Sequence, residues 1–166
     1  MSLVIELAAV ADAPSIAALQ TRVAETLTRT YGLGHWSAPV TAQSVARAIL
    51  ASTVLVGREA GTIVSTLRLV TKKPWAIDPA YFTRARRPLY LLSMAVEPAR
   101  QRSGLGRQML VEAAAAGRRW PADVIRLDAY DHPAGAGPFY EKCGYREVGR
   151  ATYRSVPLTY YEMALT

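Results

Sequence analysis

A nearly unbroken apolar run extends from Leu89 to Val96, the pattern of a strand buried on both faces. Pro98 has no N–H to give to a sheet and ends it. After the short polar stretch Arg100, Gln101, Arg102 and Ser103, Gly104-Leu105-Gly106 opens a helix. Leu105, Met109, Ala113 and Ala116 recur at helical spacing, with Leu110 and Ala114 beside them. Gly117 and the pair Arg118, Arg119 suit its C-terminal end. Residues 124–130 (Val-Ile-Arg-Leu-Asp-Ala-Tyr) then read as a second buried strand. Strand, helix and strand in this order make a right-handed crossover, so 124–130 is expected to run parallel to 89–97.

Elsewhere the pattern is shorter in period or amphipathic. Residues 3–8 predict a first strand. Asp12 suits an N-cap and Pro14 a first helical turn, after which Ile16, Leu19, Val23 and Leu27 mark a buried helix face reaching about Tyr31. Gly32 and Gly34 stop it. A second helix is expected from near Thr41 to Ala51, with Val45 and Ile49 inward. Residues 53–58 and 62–71 predict an antiparallel hairpin about Glu59-Ala60-Gly61, where Gly61 can take a positive φ. Residues 74–88 form an irregular excursion rich in Pro, aromatics and Arg. It is read as a pocket wall, a cover for the sheet edge, or the contact with a second subunit in a homodimer. Near the end, the Gly-rich run 134–138 leads to a short helix holding Phe139, Tyr140 and Cys143, with Gly144 at C′. Strands over 145–153 and 157–165 close the chain.

Chemistry enters at residues 100–107. The first N–H groups of a helix have no internal partner and carry the positive end of its dipole. A Gly-rich entry lets a bound group approach the backbone, so this is an anion site suited to a phosphate or pyrophosphate. Arg100, Arg102 and Arg107 surround it in sequence.

Composition bounds what such a site can serve. At 166 residues, 51% hydrophobic and 20% charged, the chain predicts one globular domain with a proper core. The single Cys143 excludes an internal disulfide framework and fits a reducing, cytoplasmic setting. No basic n-region precedes the first apolar residues, and no apolar stretch approaches 18 residues, so neither a signal peptide nor a membrane span is expected. The net charge of +7 admits nucleic acid, a polyphosphate coenzyme or plain surface charge. It gathers around residues 100–107 and in 72–88 rather than in a stripe, and neither a recognition-helix pattern nor an RNA-binding aromatic motif accompanies it, so no nucleic-acid partner is expected. Met109 stands where the third Gly of a dinucleotide fingerprint belongs, and no P-loop is present. Two His and one Cys far apart give no metal-ligand spacing.

Gln101-Arg102-Ser103-Gly104-Leu105-Gly106 resembles the Gln/Arg-x-x-Gly-x-Gly/Ala signature of the GNAT superfamily, the acyl-CoA-dependent N-acetyltransferases. It stands after an apolar strand and a Pro and before a helix, as that family keeps it. Phe139-Tyr140-Glu141-Lys142-Cys143-Gly144-Tyr145 is similar to the family's Leu/Phe-Tyr-x-x-x-Gly-Phe/Tyr segment. The resemblance implies an α/β fold (α+β by some schemes), single over 1–166. Its sheet would be mixed, mostly antiparallel and six- to seven-stranded, with a central parallel pair and helices on both faces. It implies transfer of an acetyl group from acetyl-CoA to a primary amine, without a metal.

By the same resemblance, backbone groups of Met94, Ala95 and Val96 would pair with pantetheine, those of Met94 and Val96 being left unpaired by the neighbouring strand. Gln101, Arg102, Ser103, Gly104, Leu105, Gly106 and Arg107 would hold the phosphates. Tyr140 would be the general acid beside the departing thiolate, and Asp128 the general base, with Glu97 or a water chain as alternatives. Where relatives carry an Asn, this chain reads Asp131-His132-Pro133 and is about one residue longer, so His132 is the candidate near pantetheine. His35 and Trp36, in the connection that overhangs the acceptor pocket in that layout, and Trp75 of the excursion are candidate substrate contacts, Trp36 equally as a loop anchor. The aromatic residues suit a small-molecule amine, and the basic rim an amino acid or other acidic amine rather than a polycation. A fold of this kind that binds acyl-CoA without turnover, as a sensor or scaffold, is the competing expectation.

Overall fold

The computed structural model describes residues 2–165. Its strands are β1 (Leu3–Leu7), β2 (Thr53–Glu59), β3 (Thr62–Val70), β4 (Pro88–Val96), β5 (Val124–Tyr130), β6 (Arg146–Tyr153) and β7 (Val156–Ala164). Its helices are α1 (Ala13–Tyr31), α2 (Ala42–Ala51), α3 (Leu105–Arg119) and α4 (Gly137–Lys142). The seven strands form one mixed sheet in the order β1-β2-β3-β4-β5-β7-β6. The parallel pair is β4 with β5, Pro88 to Tyr90 opposite Val124 to Arg126, as the crossover rule requires. Among the described residues no helix is long and apolar enough to cross a membrane, and no cluster of three or more His, Cys, Asp or Glu could hold a metal.

The chain divides into two units, one comprising residues up to Leu69 with Leu92–Ala113, the other Val70–Leu91 with Ala114 onward. In the first, β1 and β3 flank β2 antiparallel. The apolar face of α1 delivers Ile16 and Leu19, and α2 delivers Val45, onto Val54, Val56, Ile63 and Ala95. Thr41 caps α2, its Oγ1 accepting the Ser44 N–H at 3.2 Å. Asp12 precedes α1 but its carboxylate does not cap that helix. It turns back to accept the Ala9 N–H at 2.8 Å and an Arg58 Nη at 2.7 Å. The hairpin turn uses two left-handed residues, Ala60 (φ 49°) and Gly61 (φ 81°), as a two-residue connection of this hand needs. At Gly57 a Cβ would stand 2.2 Å from Ser65 Oγ and 3.2 Å from Met109 Sδ. Glycine there lets α3 settle directly onto the hairpin.

In the second unit β7 pairs antiparallel with both β5 and β6. The excursion over 74–88, read from sequence in three ways, packs onto this unit. Ile77 and Phe82 join Tyr90, Leu158 and Tyr160 in one apolar cluster. Tyr160 donates its hydroxyl hydrogen to the Ala76 carbonyl at 2.5 Å. The Tyr81 ring lies where a side chain at Gly149 would be, 2.3 Å from a Cβ built there. Asp123 accepts the Arg86 and Arg87 N–H groups at 2.9 and 3.2 Å. Thr83 gives its N–H and hydroxyl to buried Glu162. Gly117 differs from its expected role. It lies inside α3, which runs on to Arg119, and a Cβ there would meet Leu165 Cδ1 at 2.7 Å. Its use is close packing, not termination.

Candidate active site

In the first unit the turn between β4 and α3 is built from alternating backbone hands. Arg102 (φ 63°) and Gly104 (φ 89°) are left-handed, which turns successive N–H groups toward one side. Gly104 O accepts the Gln108 N–H at 3.1 Å, so the helix begins at that point. Ser103 Oγ donates to the Arg100 carbonyl and tightens the turn. A Cβ built on Gly104 finds nothing within 4 Å, so the turn opens outward. Gln101, Arg102, Ser103, Gly104 and Arg107 are exposed, whereas Leu105 and Gly106 are buried. Outward amides, two exposed guanidiniums and a helix N-terminus fit a diphosphate.

Arg100, counted from sequence with that basic set, is committed elsewhere. Its Nη2 donates to Glu59 Oε2 at 2.9 Å, and Glu59 is buried. The pair ties the turn's approach to the hairpin. Glu97, the alternative base, has its carboxylate held by Arg22 at 2.6 Å, so it is committed to an ion pair.

β4 carries an irregularity that no residue type announces. Ser93 has φ 54°, an uncommon region for a non-glycine residue and one that gathers at functional sites. Its carbonyl accepts Gln20 Nε2 at 3.2 Å. The left-handed residue interrupts the strand's two-residue alternation just before Met94. The Val96 carbonyl accepts the Gln101 side-chain amide at 3.2 Å. Gln101 therefore braces the strand end. In the loop after α1, Trp36 Nε1 donates to Gly32 O at 3.0 Å, and its ring lies against Gly34, 2.4 Å from where a Cβ would be. Trp36 thus anchors its own loop, while His35 is exposed.

The second unit holds Tyr140, Asp128, His132 and Trp75. Tyr140 is buried among Phe139, Tyr145 and Tyr161, ring centroids 5.3, 5.6 and 6.2 Å away. The Gly-rich approach explains the fit: a Cβ at Gly137 would strike the Tyr161 hydroxyl at 2.4 Å. Burial, then the charge of Asp128, then Cys143 push the Tyr140 phenol well above its ordinary pKa. Burial likewise raises Asp128 above the usual carboxylate range. Tyr145 is raised by burial and by Tyr140, and its buried hydroxyl has no hydrogen-bond partner among the described residues. Tyr161 is pushed up to about 12 by burial and by Glu141. His132 is exposed, its Nδ1 accepting the Ala134 N–H at 2.9 Å, so a neutral ring carries its proton on Nε2. Trp75 is 81% exposed. Sequence pattern singled out Tyr140 by motif, but nothing in it marked Tyr161 as its neighbour or Ser93 as the kinked residue.

The model of the acetyltransferase (GNAT) domain matches residues 51–147. No curated protein matches the chain. Among solved structures, an N-acetyltransferase from Staphylococcus aureus Mu50 aligns over 100% of both chains at 15% identity, with a TM-score of 0.73. The Salmonella typhimurium protein yncA, solved with its cofactor acetyl-CoA, is 19% identical over 100% of this chain and 95% of its own, with a TM-score of 0.71. A ribosomal-protein-alanine N-acetyltransferase from Brucella melitensis is 17% identical over 97% and 99%, with a TM-score of 0.74. At these identities the likeness is one of fold.

Proposed function

The chain belongs to the GNAT acetyltransferase family, and from that premise we propose that it moves an acetyl group from acetyl-CoA to a primary amine of a small molecule by direct attack, with Tyr140 as general acid and Asp128 as general base. Acetyl-CoA, when bound, supplies a thioester. The amine nitrogen forms a bond to its carbonyl carbon as the carbon–sulfur bond breaks. The ammonium gives up two protons in all, one to the base before attack and one as the amide forms, while Tyr140 delivers one to the thiolate. Gln101 through Arg107 receive the diphosphate in this reading, on outward amides and on Arg102 and Arg107. Met94, Ala95 and Val96 run beside pantetheine, and His132 is the further candidate there. His35 and Trp75 are proposed acceptor contacts, Trp36 holding the first of them by ordering its loop.

The observation that carries the reading is the setting of Tyr140. Burial keeps the phenol protonated across the physiological range, so the acid is always in its donating form. Asp128 gains from burial in the opposite sense, since a raised carboxylate pKa makes a better proton acceptor near neutral pH.

Thiol release from acetyl-CoA across a panel of amines, with Tyr140→Phe as the paired variant, tests the proposal. We expect amine-dependent release, a loss in kcat on the order of 100-fold in the variant, and unchanged affinity for acetyl-CoA by calorimetry. A slow rate indifferent to Tyr140→Phe would instead identify a binding module, and no affinity for acetyl-CoA would end the reading altogether.

A further inference from the structure

We propose that a cavity in the first unit, between α1, α2 and the β2–β3 hairpin, receives a carboxylate of the acceptor on Arg68, so that the preferred acceptor is a small amine of amino-acid size that also carries a carboxylate. The inference rests on the acetyltransferase reading and names its substrate class.

The cavity encloses about 150 Å³, well under the several hundred Å³ of pockets for drug-sized ligands. Ile16, Val45, Val54 and Leu67 give it apolar walls, and Gln20, Ser44, Arg68 and Ser93 supply polar groups. Apolar walls with convergent polar groups are the form of a small-molecule site, and here the two kinds of surface are nearly balanced.

Arg68 is the distinctive member. Three arginines of this unit are half-buried: Arg58, Arg68 and Arg100. Arg58 meets Glu6 at 2.6 Å and Asp12 at 2.7 Å, and Arg100 meets Glu59 at 2.9 Å. Arg68 has only a hydroxyl. Its Nε donates to Ser52 Oγ at 2.7 Å, and Ser52 Oγ donates in turn to the Ala48 carbonyl at 2.7 Å, at the end of α2. That relay fixes the guanidinium and leaves its end-on fork, Nη1 and Nη2, without a hydrogen bond or ion pair among the described residues. A cation drawn partly out of water without a counter-charge is unfavourable, and the planar fork matches a carboxylate with two parallel hydrogen bonds. The same charge repels a polycationic acceptor.

The cavity also reaches the strand to which the reading assigns the thioester. Ser93 lines it, stands immediately before Met94, and is held by Gln20 through its carbonyl at 3.2 Å. A ligand anchored on Arg68 therefore shares a wall with β4 at its left-handed residue.

The test pairs acids with their amides: L-alanine, L-valine and L-methionine against L-alaninamide, L-valinamide and L-methioninamide. In thiol release, wild type is expected to favour each acid over its amide by at least about tenfold in kcat/KM. Arg68→Gln is expected to lower the acids' kcat/KM by roughly 10- to 100-fold and to close the gap to the amides, with acetyl-CoA affinity retained. Acid and amide used equally by wild type, or a preference that survives Arg68→Gln, overturns the inference while leaving the acetyltransferase reading intact. A second arm needs no turnover. Methyl NMR of Ile16, Val45 and Leu67 during titration with the three amino acids should show shifts in wild type that vanish in Arg68→Gln, and no shift in wild type also overturns it. If Arg68→Gln does not fold, Arg68→Lys, which keeps the charge and loses the fork, makes the same comparison.

Discussion

Asp128 and Tyr140 are raised by the same burial, with opposite consequences for a proton. For Tyr140 it means retention; for Asp128 it means a carboxylate that the folded protein protonates more readily than the unfolded chain does. The stability linkage follows directly. A carboxyl whose folded pKa lies above its ordinary 3.8 is most compatible with folding below that value, and its charged form weighs against the fold as pH rises through the folded pKa. Asp128→Asn is therefore expected to raise the melting temperature at pH 7 and to have little effect on it near pH 3. In the same variant kcat/KM should fall by about tenfold or more, and the acidic limb of its pH profile should disappear. Melting curves at two pH values and one pH–rate series check both. A variant both less stable and fully active at pH 7 would remove Asp128 from the mechanism.

The turn into α3 shows how an element takes its shape from one residue. Gly104 was legible from sequence because two glycines ahead of a helical period are hard to read otherwise. What pattern could not supply is the hand of Arg102, a left-handed non-glycine residue. Gly104→Ala tests the element. A Cβ there meets nothing within 4 Å, but φ is 89°, so the cost is backbone strain alone, about 1–2 kcal/mol. Chemical denaturation should show that loss, and calorimetry a weaker affinity for acetyl-CoA. Full stability with unchanged affinity would mean the turn is not the phosphate seat. Gly117 teaches the reverse. Its place near a helix end invited a capping role, yet the decisive fact is Leu165 at 2.7 Å from an absent Cβ, and only packing reveals it.

At the scale of the molecule, the excursion over 74–88 is the segment whose role depended most on folding. Its prolines, rings and arginines suited a pocket wall or a subunit contact as well as a cover for the sheet edge. In the second unit it is fixed by the Ile77–Phe82–Tyr160 cluster and by Asp123, which accepts two consecutive backbone N–H groups. Arg84 and Arg86 are exposed and neither is followed by Pro, so trypsin can report on the fastening. Asp123→Ala should accelerate tryptic cleavage after these arginines several-fold, because two N–H groups lose their acceptor and local opening becomes easier. Cleavage at the wild-type rate would show that the aromatic cluster and the Thr83–Glu162 hydrogen bonds secure the segment without Asp123.

The amino-acid sequence by itself determined the elements, their order, the parallel strand pair and the two motifs, because each is set by local periodicity, by glycine and proline stereochemistry, or by the handedness of a crossover. Boundaries fell within a residue or two for the same reason. The tertiary structure alone decided which charges are spent and which remain: Arg100 on Glu59, Glu97 under Arg22, and Arg68 lining a cavity with no counter-ion among the described residues. Those pairings join residues tens of positions apart, and no spacing rule encodes which side chains meet once strands and helices have packed. Electrostatics and burial are properties of proximity in space, so the candidate chemistry of this chain became specific only when it was folded.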